Sequence, residues 1–259
     1  MVSGMGTIAG SVMGTYIGML GGTDPAAKVL FATHLLSASV MAVPGSIVLA
    51  KMLCPQTEEA TDHVAISGKE KENSNILDAI SSGTVTGVKL MTNIAAMLLV
   101  FISLVALANY ITEGVIGRYT GLNDWIVKIT DGKAQGLTFQ FILGVITSPF
   151  MWLIGVPSQD IMLVGSLLGQ KTILNEFVAY FQLQQWKDAG LFMYEKSILM
   201  STYILCGFAN ISSIGILLGG LGVLAPEKRG LISRIGVPAM IGGALVSVLS
   251  ATIIGMILG

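Results

Sequence analysis

The chain has 259 residues, of which 53% are hydrophobic and 11% charged, and its mean hydropathy is +0.78. Soluble domains carry about 25% charged residues, so the composition indicates a protein that is solvated largely by lipid. A net charge of −1 with both signs mixed excludes a basic face for nucleic acid. Cys54 and Cys206 do not combine with His34 or His63 at metal-ligand spacing, so we expect no metal centre and no bound cofactor.

Five apolar stretches are long enough to cross the hydrocarbon core of a bilayer, which is about 30 Å thick and needs roughly twenty helical residues. They predict an all-α integral membrane protein that crosses a plasma or inner membrane several times, with the lipid bilayer as its partner. The stretches cover residues 4–20, 29–53, 84–111, 196–222 and 236–258.

Four regions follow from the order of apolar and polar segments. The first and last look like two related repeats, of which the first is a remnant. We predict a broken helix and a helix kinked at Pro44 in residues 1–53, a solvated loop in 54–83, a long scaffold helix and polar connection in 84–137, and a second repeat in 138–259.

The second repeat begins with two apolar segments that are unlike simple spanning helices. Residues 139–156 contain Pro149 and Trp152 and are predicted to form a helix along the membrane interface. Residues 161–181 are interrupted by polar and charged groups, and a helix facing lipid would bury those charges at substantial cost. A re-entrant helical hairpin fits this segment better.

Glycine and serine interrupt the apolar pattern at corresponding places in the two halves, at residues 6–11 and 207–215. Each interruption is followed by one further long apolar span. Paired broken helices of this kind indicate a transporter fold built from inverted repeats. Because the second half has a hairpin ahead of its broken helix, symmetry predicts a first hairpin that is absent from this sequence.

Buried polar groups at these interruptions are the candidate binding residues. Glu176 is expected at membrane depth, where a carboxylate needs a cation, a polar ligand or a water-filled cavity. Asn175, Asn210 and Ser213 add groups that both donate and accept hydrogen bonds, which suits a neutral polyhydroxylated ligand such as a sugar. Phe208 beside them offers a face for a base or a sugar.

Two structural interpretations remain open for the same residues. Glu176 is explained without a ligand if it pairs with Lys171 or is protonated in a dry site. Ser212 and Ser213 need no ligand either if their hydroxyl groups form hydrogen bonds between helices.

Three sequence motifs stand at these positions, namely Gly-Gln-Lys at 169–171, Asn-Glu-Phe-Val-Ala-Tyr at 175–180 and Cys-Gly-Phe-Ala-Asn-Ile-Ser-Ser-Ile-Gly at 206–215. They resemble the motifs of the concentrative nucleoside transporter family. Further matches lie at residues 6–12, 225–227 and 250–253, so the similarity runs through the whole chain.

The resemblance implies a role for each matching position. It assigns the ribose hydroxyls to Glu176 and to Asn210 with Ser213, with Phe208 lining the site. It also assigns the nucleobase to Ser11 on the first broken helix. The border of a coupling-ion site is expected at Gly6, Thr7 and Ile8. The ion is sodium or a proton, and family members are homotrimers.

The leading hypothesis is therefore cation-coupled symport of nucleosides by a chain that lacks the first hairpin of the family. The alternative is a truncated membrane protein or accessory subunit that keeps the fold without transporting. An enzyme using Glu176 as a general acid or base would need a second catalytic group, which the sequence does not offer.

Overall fold

The computed structural model describes residues 1–55, 75–130, 132, 134–224 and 226–259. Regular secondary structure in this part of the chain is helical throughout, which confirms the predicted all-α fold. Two helices in it, Pro25–Leu53 and Arg229–Ile257, are long and apolar enough to cross a membrane by themselves.

The first predicted broken helix is present. It consists of α1 (Val2–Gly6) and α2 (Gly10–Gly21), separated by a non-helical stretch at residues 7–9. The following helix, α3 (Pro25–Leu53), begins where the Asp24 carboxylate accepts hydrogen bonds from two backbone N–H groups of the first turn. The helix continues through Pro44 without a break.

A long helix and a polar connection follow. Their elements are α4 (Ile76–Asn109), its π-helical continuation (Tyr110–Gly117), α5 (Arg118–Thr120) and α6 (Leu122–Ile129). Asn109 at the end of α4 is bonded to the start of the next helical region, because its Oδ1 accepts from the Phe139 N–H at 2.7 Å and its Nδ2 donates to Gln140.

The predicted boundary of this long helix at residue 84 is wrong, because α4 begins at Ile76. Asn75 caps the helix through its side-chain oxygen, which accepts from the Asp78 N–H at 2.9 Å. Such a cap satisfies a backbone donor that has no partner within the helix, and it outweighs the local polarity on which the loop prediction rested. Residues 56–74 of the predicted loop lie outside the described residues.

The second repeat contains the predicted hairpin and the second broken helix. Its elements are α7 (Phe139–Leu153), α8 (Ile161–Ile173), α9 (Glu176–Asp188), α10 (Glu195–Leu205), α11 (Ile211–Leu224), a 3₁₀ turn (Pro226–Lys228) and α12 (Arg229–Ile257). The hairpin consists of α8 and α9, which pack against each other across Leu174 and Asn175. The broken helix consists of α10 and α11, separated at residues 206–210.

Glycines allow α7 and α8 to pack backbone to backbone. A Cβ at Gly144 would lie 2.9 Å from the Met162 carbonyl oxygen, and one at Gly165 would lie 3.0 Å from the Gly144 carbonyl oxygen. Small residues permit this approach, which favours association of helices in lipid. The base of the hairpin is held by Asp160, whose buried carboxylate accepts from the backbone N–H groups of Met193 and Tyr194.

The two helix breaks meet at the centre of the fold. Gly207 has φ +144°, and a Cβ there would lie 3.0 Å from the Gly6 carbonyl oxygen and 2.7 Å from Ser247 Oγ. Gly243 on α12 is similarly close to Met5 of α1. A face of small residues on α12 therefore lies against the end of α1 and against the second break together.

The junction predicts that Gly207→Ala destabilises the protein. The added methyl group must displace Ser247 or the end of α1, and the positive φ is itself unfavourable for alanine. We expect a loss of about 1–3 kcal/mol, in the range of overpacked sites, measured as a lower midpoint of thermal unfolding in detergent. The control is Gly14→Ala on α2, where no described atom lies within 4 Å of a Cβ and alanine favours the helix. Equal midpoints for the two variants would refute the close packing.

Candidate functional site

A buried carboxylate lies where the hairpin meets the second broken helix. Glu176 is the first residue of α9 and is only 5% exposed. Its Oε2 accepts from Asn210 Nδ2 at 3.0 Å, and its Oε1 accepts from the Tyr16 hydroxyl at 3.5 Å. Three elements that are distant in sequence, namely α9, the second break and α2, therefore converge on one acid.

Asn210 and Ser213 form a reciprocal cap at the start of α11. The Ser213 N–H donates to Asn210 Oδ1 at 2.8 Å, and the Asn210 N–H donates to Ser213 Oγ at 3.2 Å. This is the hydrogen-bond pattern of a capping box. The cap occupies the carbonyl end of the Asn210 amide and leaves its NH₂ group directed at Glu176.

Asn175 has the corresponding position at the start of α9. Its Oδ1 accepts from the Val178 N–H at 2.9 Å, and its backbone is extended. The N-termini of α9 and α11 are thus both capped by asparagine, and both lie next to the Glu176 carboxylate. Because a helix N-terminus carries a partial positive charge, this arrangement stabilises a negative or hydrogen-bond-accepting group between them.

Aromatic rings cover the carboxylate on the side of α2. The Tyr16 ring stacks on the Tyr180 ring with centroids 4.1 Å apart, and the Tyr180 hydroxyl donates to the Thr202 carbonyl oxygen. Phe177 lies 6.3 Å from Tyr16, and Phe208 is half-buried within the second break. Sequence reasoning missed Tyr16, because a tyrosine in a glycine-rich helix carries no local sign of a partner 160 residues away.

The residues expected around the coupling ion lie at the first break. Gly6 is buried against Val246, and the Thr7 hydroxyl donates to the Ser3 carbonyl oxygen at 2.9 Å. Ile8 is half-buried beside the hydrophobic core, and Ser11 is exposed on the first turn of α2. No hydrogen bond among the described residues joins Ser11 to Glu176, Asn210 or Ser213.

The alternative in which Glu176 pairs with Lys171 is wrong for this structure. The Lys171 ammonium instead donates to the Ile204 carbonyl oxygen at 2.8 Å and to Ser247 Oγ at 2.9 Å. The carboxylate therefore has an amide and a phenol as its donors, and its partners come from both halves of the chain.

A cavity of about 870 Å³ lies on the outer side of the hairpin, bounded by the end of α4, the polar connection and helices α7 to α9. Asn109, Gln140, Gln182 and Gln185 are among its polar lining residues. Glu176, Asn210 and Ser213 do not line it. Glu176, Asn210 and Ser213 are thus joined to one another by hydrogen bonds and are not spread around this cavity.

The pairing predicts an energetic coupling between Glu176 and Asn210. Removing either side chain leaves its buried partner short of a hydrogen bond, which costs about 1–3 kcal/mol. In a double-mutant cycle of Glu176→Ala and Asn210→Ala we expect a coupling of about 0.5–3 kcal/mol, measured by unfolding in lipid nanodiscs. A parallel cycle of Glu176→Ala with Gln185→Ala, which lies at the far end of α9, should be additive. Additivity in both cycles would exclude the pairing.

Comparison with known proteins gives a consistent result. Residues 34–255 match the family described as Na+ dependent nucleoside transporter C-terminus. The chain is 39% identical to an uncharacterized transporter of Haemophilus influenzae, of which it covers 58%. It is 35% identical to the nucleoside permease NupC of Helicobacter pylori and 37% identical to sodium/nucleoside cotransporter 1 of Rattus norvegicus, covering 57% and 38% of those proteins. In each case 99–100% of this chain is matched.

Solved structures show the same similarity at the level of the fold. CNTnw in an inward-facing substrate-bound state superimposes with a TM-score of 0.76 at 34% identity, over 100% of this chain and 56% of that one. A CNTnw variant in an outward-facing state superimposes with a TM-score of 0.79 at 35% identity, over 98% of this chain and 56% of that one. The predicted inverted-repeat membrane fold is thereby confirmed. The chain is a membrane protein and belongs to the concentrative nucleoside transporter family.

Proposed function

We propose that this chain forms the ribose-binding part of a cation-coupled nucleoside symporter. The observation that carries the proposal is the buried pair of Glu176 and Asn210, held between a re-entrant hairpin and a broken helix. Secondary transporters typically hold their ligand groups on elements whose backbone is interrupted near the midplane, because half-helix ends offer polar groups there.

The pair has the hydrogen-bonding capacity that a sugar hydroxyl requires. A hydroxyl donates one hydrogen bond and accepts others, so it can donate to the Glu176 carboxylate and accept from Asn210 Nδ2. A hydroxyl inserted between them replaces the direct hydrogen bond of Asn210 to Glu176 with two hydrogen bonds, one to each side chain. Two adjacent hydroxyls of a ribose supply enough groups to satisfy both carboxylate oxygens, and Ser213 holds Asn210 in the orientation that this binding needs.

The chain spans 57–58% of the length of the bacterial relatives described above. The second candidate function is that of a membrane protein that keeps the fold and does not transport nucleosides. The names of the relatives from Helicobacter pylori and Rattus norvegicus support transport. So does the buried pair of Glu176 and Asn210, which we call the clamp. We therefore place nucleoside symport first.

The proposal extends to location and assembly. We place the protein in the plasma or inner membrane as a multi-pass homotrimer. The long helix α4 supports this assembly, because Leu99, Leu104 and Leu107 are more than half exposed. The described hydrogen bonds from α4 to the next helical region are made by Asn109 at its C-terminal end. Sodium is the first choice of coupling ion, given the sodium/nucleoside cotransporter among the relatives, and a proton is the alternative.

Loss of the clamp should abolish recognition of the ribose. In cells that lack their own nucleoside transporters, we expect Glu176→Gln and Asn210→Ala to reduce kcat/KM for labelled uridine at least tenfold, which is about 1.4 kcal/mol. Deoxyuridines lacking the 2′ or 3′ hydroxyl should compete poorly against uridine in the unmodified protein. They should compete nearly as well as uridine in Glu176→Gln, because the acceptor of the missing hydroxyl has been weakened.

The matched control is Gln185→Ala, which removes a polar side chain from the same helix away from the carboxylate. Uptake by this variant should stay close to that of the unmodified protein. Saturable uptake that is unchanged in Glu176→Gln and Asn210→Ala would reject the clamp. The absence of saturable uptake in the unmodified protein, together with normal insertion into the membrane, would favour the non-transporting alternative.

Sodium coupling through the first break predicts a shift in sodium dependence when Thr7 is changed. We expect Thr7→Ala to raise the sodium concentration at half-maximal uridine binding several-fold, because a hydroxyl at the end of α1 is lost. Thr33→Ala on α3 is the control, since the Thr33 hydroxyl likewise donates to a backbone carbonyl four residues earlier. If binding follows pH and is indifferent to sodium, the coupling ion is a proton.

A further inference from the structure

Lys171 is the most deeply buried cation of the described chain. It lies in the last turn of α8 and is 0% exposed. No acidic side chain among the described residues lies within the 4.0 Å that defines an ion pair with it. Burying an ammonium without a carboxylate partner is costly, so packing alone favours an apolar residue at this position.

The groups that Lys171 contacts belong to the end of a half-helix. Ile204 lies in the last turn of α10, which ends at Leu205, and its carbonyl oxygen accepts from the ammonium at 2.8 Å. The last carbonyl groups of a helix have no partner within the helix, and together they carry a partial negative charge. A cation at the end of α10 both donates hydrogen bonds to the unpaired carbonyl groups and balances their partial negative charge.

Ser247 extends the contact into the break itself. Its hydroxyl accepts from the Lys171 ammonium at 2.9 Å and donates to the Cys206 carbonyl oxygen at 2.8 Å. Ser247 Oγ is also the atom that a Cβ at Gly207 would meet at 2.7 Å. One ammonium therefore connects α8, α10 and α12 at the start of the segment that leads to Asn210.

We propose that the Lys171 ammonium is a tethered cation that holds the C-terminal end of α10 and thereby positions Asn210 for the ligand. Transporters use unwound carbonyl groups and half-helix C-terminal ends to bind small cations. At this break the cation is covalently part of the protein and cannot exchange with solution. Lys171 is thus a positioning residue, and its effect on the ligand rests on the proposed function.

The tether predicts a defect that a free cation repairs. Lys171→Ala removes the ammonium and opens a small polar space, so uridine affinity of the protein in nanodiscs should fall at least tenfold. Added methylammonium should restore the affinity saturably, whereas choline, which is too large, should not. Lys171→Met retains most of the side-chain volume without the charge, so it should lose affinity and stay unresponsive to methylammonium.

Cys206 provides a second measurement that needs no nucleoside. Its thiol is buried 3.9 Å from the Leu35 carbonyl oxygen, whereas Cys54 is exposed. In a Cys54→Ala background, reaction of Cys206 with N-ethylmaleimide reports opening of the break. We expect faster labelling in Lys171→Ala and Lys171→Met, with methylammonium slowing it in the alanine variant only.

The control is Lys196→Ala, since Lys196 is a half-buried lysine whose ammonium also donates to a main-chain oxygen, that of Gly259. It should change neither measurement. If the unmodified protein does not bind uridine while the labelling results hold, the proposed function fails and the tether stands. Labelling and uridine affinity unchanged in Lys171→Met, or a defect in Lys171→Ala that no small amine repairs, would overturn the tether.

Discussion

A helix that breaks inside a membrane leaves backbone N–H and C=O groups that hydrocarbon cannot satisfy, and this requirement governs the second repeat. The N-terminal end of α11 is satisfied by the reciprocal cap of Asn210 and Ser213. At the C-terminal end of α10, the Lys171 ammonium donates to the Ile204 carbonyl oxygen. Ser247, which accepts from the same ammonium, donates to the Cys206 carbonyl oxygen. The positive φ of Gly207 lets the chain between these ends lie directly against α1.

The groups that satisfy the helix ends are also those with the chemistry to bind a ligand. Asn210 divides its amide between the two tasks, because its oxygen caps α11 and its NH₂ group contacts Glu176. Asn175 likewise caps α9 beside the carboxylate. If the proposed function holds, a substitution at these positions changes stability and recognition together. Separating the two effects requires ligands that differ by one hydroxyl, since those leave the fold untouched.

Local chemistry predicted much of this arrangement. Polar residues inside apolar segments identified Glu176, Asn210 and Ser213, and the paired glycine- and serine-rich interruptions identified two broken helices. Such signals are readable because lipid penalises each buried polar group in isolation. The start of α4 was misplaced, because the charged residues before it indicated a loop and the cap at Asn75 was not recognised.

Long-range partners could not be predicted in the same way. Tyr16 reaches Glu176 across 160 residues, and Lys171 reaches Ser247 across 76. No periodicity within a helix relates such positions, because the angle at which the hairpin meets the broken helices is fixed by packing of the whole fold. In the sequence, Lys171 is recognisable only as a cation near Glu176, which suggests an ion pair. Its contact with the C-terminal end of α10 depends on the packing of distant helices and could not be predicted.

The two breaks differ in a way that bears on ion coupling. The second break has its cation built in as Lys171, whereas no lysine or arginine side chain among the described residues donates to the end of α1. The Thr7 hydroxyl there turns back to its own helix. If the C-terminal ends of α1 and α10 both need a positive charge, Lys171 supplies it to α10, and a cation from solution can supply it to α1. An exchangeable ion at the first break would then act on the clamp through the contact between Gly6 and Gly207, which joins the two breaks directly.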